Sequence, residues 1–302
     1  MKKKSQYDSD ELAAMFTQVL DDLSYAKTFY PDSKTTVYLQ GLAAQAHQRI
    51  YKNKQEEKGR ILHFWKEELP RVVRSAHKEL FVALVIFLVA ISLGAVSSKY
   101  DAGFVRLILG DTYVNQTLEN IKKDDPMAVY KSMQQWDMFL AITVNNIRVS
   151  FFAFSLGIFF SFGTGYVLFS NGVMVGAFQY MFYEKGLLWD ALLTIYIHGA
   201  LELSAIVIAG GAGIVMGNSF LFPGTYSRLE SFIRGARRGA KIIVGLIPIF
   251  ITAGFLEAFV TRHTDMPLWL SLFIIFSSFG LIVWYFIIYP IRKKQEVVYV
   301  NK

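Results

Sequence analysis

The chain has 302 residues, no cysteine and a formal net charge of +7. The missing cysteine excludes disulfides, thiol catalysis and cysteine-ligated zinc. Hydrophobic residues make up 53% of the chain and gather in long runs after Glu79, which excludes a soluble enzyme or a nucleic-acid binder and marks a helical membrane protein.

Met1 to Asp8 is a short basic tail, and Met1 to Asp22 lacks the apolar core of a signal peptide. Asp10 can cap a helix with Leu12, Met15, Phe16, Val19, Leu20 and Leu23 on one side, ended by Pro31. A second helix is predicted over Ser33 to Lys58, and a short third piece over Arg60 to Leu69, ended by Pro70. Residues 1–78 thus read as a small helical hairpin domain, which its many Lys and Arg residues assign to the cytoplasm.

Residues 79–98 form the first predicted membrane helix. Residues 99–146 read as an outer helical cap, with Val114, Leu118 and Ile121 on one helix face and Asp125-Pro126 as a helix start. Ile147 to Ser170 returns inward. Asn171 to Tyr183 covers only about 20 Å as a helix, which fits a short crossing or a re-entrant half-helix. Arg228, Arg234, Arg237 and Arg238, and the tail from Arg292, belong on the side of the amino terminus. That parity requires a short third span.

Leu187 to Gly217 then crosses inward, and Pro223-Gly224 turns the chain. Residues 224–239 read as a basic interfacial helix, from Tyr226 to Gly239 in its core. Lys241 to Val260 crosses outward with a kink at Pro248, and Pro267 to Tyr289 returns, leaving 291–302 as a cytoplasmic tail. The predicted fold is all-α: a polytopic bundle over 147–290 with about six crossings in all, one of them short. Both termini face the cytoplasm.

His198 and Glu202 stand four apart in the fourth span, so they share one helix face. A charge at membrane depth costs at least about 2.5–3.5 kcal/mol, so both side chains are expected to face protein or water. They read as a relay or substrate contact, or as a structural pair pinning two helices. Glu257 is the second intramembrane carboxylate. Asn145, Asn146 and Arg148 open the second span at the same level, where the Asn residues can cap it and Arg148 can neutralise Glu257; Arg262 is the other candidate partner. Gly172 with Gly176, and Gly213 with Gly217, provide small-residue packing seams, and Gly210-Gly211 can loosen the helix. Catalytic zinc needs three protein ligands. His47, His63, His77 and His263 fall outside the bilayer core, so neither metal nor cofactor is expected. No nucleotide loop, zinc-protease or serine-hydrolase motif is present.

The runs NNIRVSFFAFSLGIFFSFGTGYVLFSNGVMVGAF, IHGALELSAIVIAGGAGIVMG, FPGTYSRLE and ITAGFLEAFVTR, in that order, resemble the stage II sporulation protein M family of integral membrane proteins. The resemblance covers about Asn145 to His263 and, more loosely, the amino-terminal helices. It makes His198, Glu202, Pro223, Gly224, Arg228 and Glu257 the family-typical positions. It implies a multi-pass helical protein of the bacterial or archaeal cytoplasmic membrane, here assigned to the bacterial cytoplasmic (inner) membrane. With no enzyme motif in the chain, it reads as a non-enzymatic scaffold or component of a cell-envelope complex. The sporulation member acts in a complex that recruits wall-remodelling enzymes. The competing reading is a channel or transporter with a path through Glu257, His198 and Glu202. The expected partners are lipid, other envelope membrane proteins and, for a homo-oligomer, further copies of the chain; nucleic acid is not expected.

Overall fold

The computed structural model describes residues 9–52, 59–101, 103–123, 125, 134–262 and 266–293, and these contain helices and no strand. The chain divides into two units, residues 1–63 and 64–302.

In the first unit, α1 (Ser9–Phe29) and α2 (Lys34–Lys52) form a hairpin. Leu23, Ala26 and Ala43 are buried in its seam, whereas Met15, Leu20 and Val37 are exposed. The turn is held by Thr36, whose hydroxyl donates to Tyr30 O at 2.6 Å while its amide donates to Ser33 Oγ at 3.1 Å. A short helix α3 (Arg60–His63) ends the unit.

The second unit opens with a π turn, Phe64–Glu68, and α4 (Leu69–Ser75). Here the expected boundary at residue 78 is corrected. Leu69 and Val73 are fully buried in the same apolar core as Leu246 and Phe286, so residues 64–76 belong to the bundle. Pro70 starts α4 instead of ending a helix, because its fixed φ suits a first turn whose amides need no partner. The segment is clasped by the last helices: Tyr285 Oη donates to Trp65 O at 2.7 Å, and Arg74 donates to Pro290 O at 3.0 Å. Lys293 pairs with Glu67 at 2.5 Å and holds that carboxyl below the usual range.

The bundle comprises α5 (His77–Tyr100), α8 (Gln135–Ser155), α9 (Phe162–Glu184), α10 (Leu188–Leu221), α11 (Arg228–Phe255, extended by a π turn, Leu256–Thr261) and α12 (Leu268–Val283). A second π turn, Trp284–Ile288, leads into α13 (Tyr289–Arg292). Two short helices, α6 (Phe104–Leu109) and α7 (Asp111–Lys122), follow α5. Pro126 and His263 lie outside the described residues.

The centre is α10. Its 34 residues are buried almost without interruption from Ile197 to Gly217, which a helix apolar all round requires. Gly210 and Gly211 do not break it; they receive Leu168 and Leu80. Around it, α5 and α12 turn Phe81, Leu88, Phe273 and Phe276 outward. Five helices are long and apolar enough to cross a membrane, and the protein is an integral membrane protein.

Three further expectations change. First, α8 begins at Gln135, so 134–146 is not part of a separate cap. Trp136 and Phe139 pack on Phe259 with ring centroids 5.1 and 6.2 Å apart, which ties the start of α8 to α11. Second, the run Ile147 to Ser170 is not one span. The chain turns at Phe160 and Ser161, both with positive φ, and Ser161 Oγ donates to Ile214 O at 3.2 Å. The short span Asn171 to Tyr183 is therefore the latter half of α9, whose 23 residues reach about 35 Å. Third, no separate interfacial helix exists at 224–239: α11 runs unbroken through Gly239 and Pro248. Gly235 and Gly239 let it lie directly on Val215 and Ala212 of α10.

The start of α11 is capped by Ser227, whose Oγ accepts from Glu230 N at 3.3 Å. Ser227→Ala is expected to cost about 1 kcal/mol, read as a small fall in the unfolding temperature of the detergent-solubilised protein.

Candidate functional site

On α10, His198 and Glu202 stand one turn apart on one face. Opposite them, α11 ends in its π turn, a widened turn of the kind often found at functional sites. That turn carries Glu257 and Thr261. His198 Nε2 lies 3.8 Å from Glu257 Oε1, and His198 Nδ1 lies 3.0 Å from Thr261 Oγ1. The ligand-type atoms of His198, Glu202 and Glu257 all fall within 4.8 Å of one another. The imidazole is 4% exposed.

Thr261 Oγ1 also donates within its own turn, to Leu256 O at 3.2 Å. With Nδ1 against Thr261, the other ring nitrogen, Nε2, is turned toward Glu257.

From the third side, α8 brings Asn146 against the Glu202 carboxylate. Asn146 is 5% exposed, and its Nδ2 has no hydrogen-bond partner. Thr143 Oγ1 and Ser150 Oγ are likewise buried without partners. At positions 143, 146 and 150 these groups form one polar stripe on a helix otherwise rich in apolar residues.

The trio forms the floor of a cavity of about 400 Å³. Its walls come from α6 and α7 through Leu109 and Tyr113, from α9 through Phe178 and Gln179, and from α10 through Ile195 and Tyr196. Gln179 Nε2 donates to Tyr196 Oη at 2.7 Å. Burial pushes the Tyr113 phenol up, so it stays a neutral donor in the wall. The arrangement is an apolar chamber with ionisable groups at one end, the form in which small polar or charged ligands are held.

The other expected residues fall elsewhere. Asn145 and Arg148 are exposed, on the side of α8 away from Asn146. The expected Arg148–Glu257 pairing is corrected: Glu257 meets His198. Arg262 follows the π turn as its C-cap residue. Gly224, with φ +63°, makes the left-handed turn after α10, beside Pro223. Arg228 opens α11 with its guanidinium 5.9 Å from the Phe220 ring. Both lie about 30 Å along α10 from the trio. Gly172 and Gly176 seat α9 on α5, and Gly213 and Gly217 seat α10 on the turn between α8 and α9.

Helix-end pattern alone assigns Asn146 to a cap, and no motif draws in Thr261. Yet Thr261 stands four residues after Glu257, the same spacing as His198 and Glu202, and that repeat is a usable signal. The folded chain also brings the Glu257 carboxyl beside His198 and Glu202.

A family model described as stage II sporulation protein M matches residues 83–262. A second, for a domain of unknown function, DUF8413, matches residues 1–52. No curated protein and no solved structure matches the chain. The first match takes in more than half of the sequence, including His198, Glu202, Glu257, Asn146 and Thr261, and the chain belongs to the stage II sporulation protein M family.

Proposed function

We propose that the protein is a non-enzymatic, multi-pass protein of the bacterial cytoplasmic (inner) membrane whose cavity admits a small polar or cationic solute, as a channel or transporter does. The five apolar spans and the full-length α9 bring the chain across six times. The start of the second unit and its last helix then lie on one side. Arg71, Arg74, Arg228, Arg234 and Arg238 fall on that same side, the cytoplasmic one by the positive-inside rule. The exposed Phe159, Phe160 and Phe162 at the turn before α9 suit the aromatic belt of the same interface. The cavity, roofed by α6 and α7, faces the opposite side.

The observation that carries this reading is the convergence of His198, Glu202 and Glu257 on a void of that size. Pinning two helices together needs no void beside the pair, and burying ionisable groups costs stability. Lipid and neighbouring envelope membrane proteins are the proposed partners in either role.

The cysteine-free chain allows a clean test. Ile195→Cys lines the cavity, and Ala205→Cys is sealed in the core. A membrane-impermeant thiol reagent added from the outer side is expected to label the first and spare the second. If neither reacts in intact cells while both react in detergent after unfolding, no wet path leads to the site, and the scaffold reading replaces this one.

A further inference from the structure

The cavity floor gathers one imidazole and two carboxyl groups, donor types that ligate metal ions. His198 Nε2 lies 3.8 Å from Glu257 Oε1, and a Glu202 oxygen completes a triangle with no side above 4.8 Å. Carboxylates held this close repel one another strongly in a low-dielectric interior, and a cation among them answers both.

We infer that His198, Glu202 and Glu257 bind a divalent first-row transition metal ion, of the zinc or manganese class, at the base of the cavity. One imidazole nitrogen with two carboxylates suits these ions. The nitrogen disfavours magnesium and calcium, and the absence of sulfur disfavours copper(I). Ligand atoms about 2.0–2.2 Å from zinc lie about 3–4 Å from one another in a tetrahedral shell. The 3.8 Å pair already meets that spacing, and small side-chain rotations close the remaining sides. Three protein ligands leave a coordination position free, and the cavity lies on that side. Thr261 serves as the positioning residue: its hydroxyl against Nδ1 holds the ring plane, as outer partners of metal-bound histidines do.

Metal binding is independent of solute passage, since a resident ion can serve a transporter or lock a scaffold. The test is equilibrium dialysis of the full-length, detergent-purified chain against Zn²⁺ and, separately, Mn²⁺, with bound metal measured by elemental analysis. The wild type is expected to retain about one ion per chain. The isosteric variant H198Q/E202Q/E257Q is expected to retain none above background. Thr261→Val should weaken affinity about 10- to 100-fold, and Thr261→Ser, which keeps the hydroxyl, should restore it. His47→Ala, in the amino-terminal hairpin, should leave binding unchanged. If the wild type holds neither metal, or the triple variant holds as much, the site is not a metal site. Should the triple variant fail to elute as a single species, Glu257→Gln decides in its place: unchanged affinity overturns the inference. Cysteine labelling is unaffected by any of these results, so the two readings fail separately.

Discussion

Gly176→Leu is expected to abolish recovery of folded protein from membranes. Where α9 crosses α5, a side chain at Gly176 would land on Ile91 O and Ala95 N, and one at Gly172 on Phe87 O and the Ala90 side chain. The obstacle at Gly176 is backbone, which cannot move aside by changing rotamer. The helices would have to separate along their length. Even an inserted methylene in a packed core costs about 1–3 kcal/mol, and here a whole side chain meets main chain, against a total stability of about 5–15 kcal/mol. The separation would also carry Phe178 and Gln179 away from the cavity. Gly165, on the same helix, has nothing within 4 Å of its ideal Cβ, so Gly165→Ala is the control and should elute like the wild type. The measurement is the monodisperse fraction in mild detergent. A wild-type profile for Gly176→Leu would show that α5 and α9 are not in backbone contact.

Leu69→Ala should be the most destabilising single truncation outside the long helices. Leu69 is 0% exposed, and its methyl groups pack on Gly245 of α11 within the core shared with Val73 and Leu246. Losing a buried leucine side chain costs about 2–5 kcal/mol, which for a unit of this size lowers the unfolding temperature by roughly 5–15 °C. Leu62, in the first unit, is exposed, and Leu62→Ala should shift it by less than about 2 °C. Equal, small shifts would place residues 64–76 outside the bundle, where the charge pattern alone assigns them.

That contrast shows what could be read in advance. The long apolar runs announced the membrane, and the four-residue spacing of His198 and Glu202 announced a shared face, because both signals are local periodicities. Glu257 entered the reading from its depth in a neighbouring span. The errors came where tertiary contact overrides local pattern. Leu69 and Val73 lie in a stretch rich in Lys and Arg, and only the closure of Tyr285 and Lys293 over it reveals a core segment. The turn at Phe160 and Ser161 carries no proline and exposes phenylalanine, so an apolar run concealed a chain reversal. The Arg-rich start of α11 resembles a surface helix until Gly235 and Gly239 are seen against α10. Asn146 and Arg148 differ by two positions, which on a helix means nearly opposite sides. No scan for charge partners distinguishes them without the bundle's axis.

The widened turn at Leu256–Thr261 gives α11 an unusual kind of calibration. A π turn amounts to one surplus residue absorbed without added length. Winding the same residues as an ordinary helix would swing the downstream side chains by about 100° around the axis. Thr261 would then leave the imidazole, although every chemical group of the site were still present. The phase of this helix, and not its composition, decides whether histidine and threonine meet.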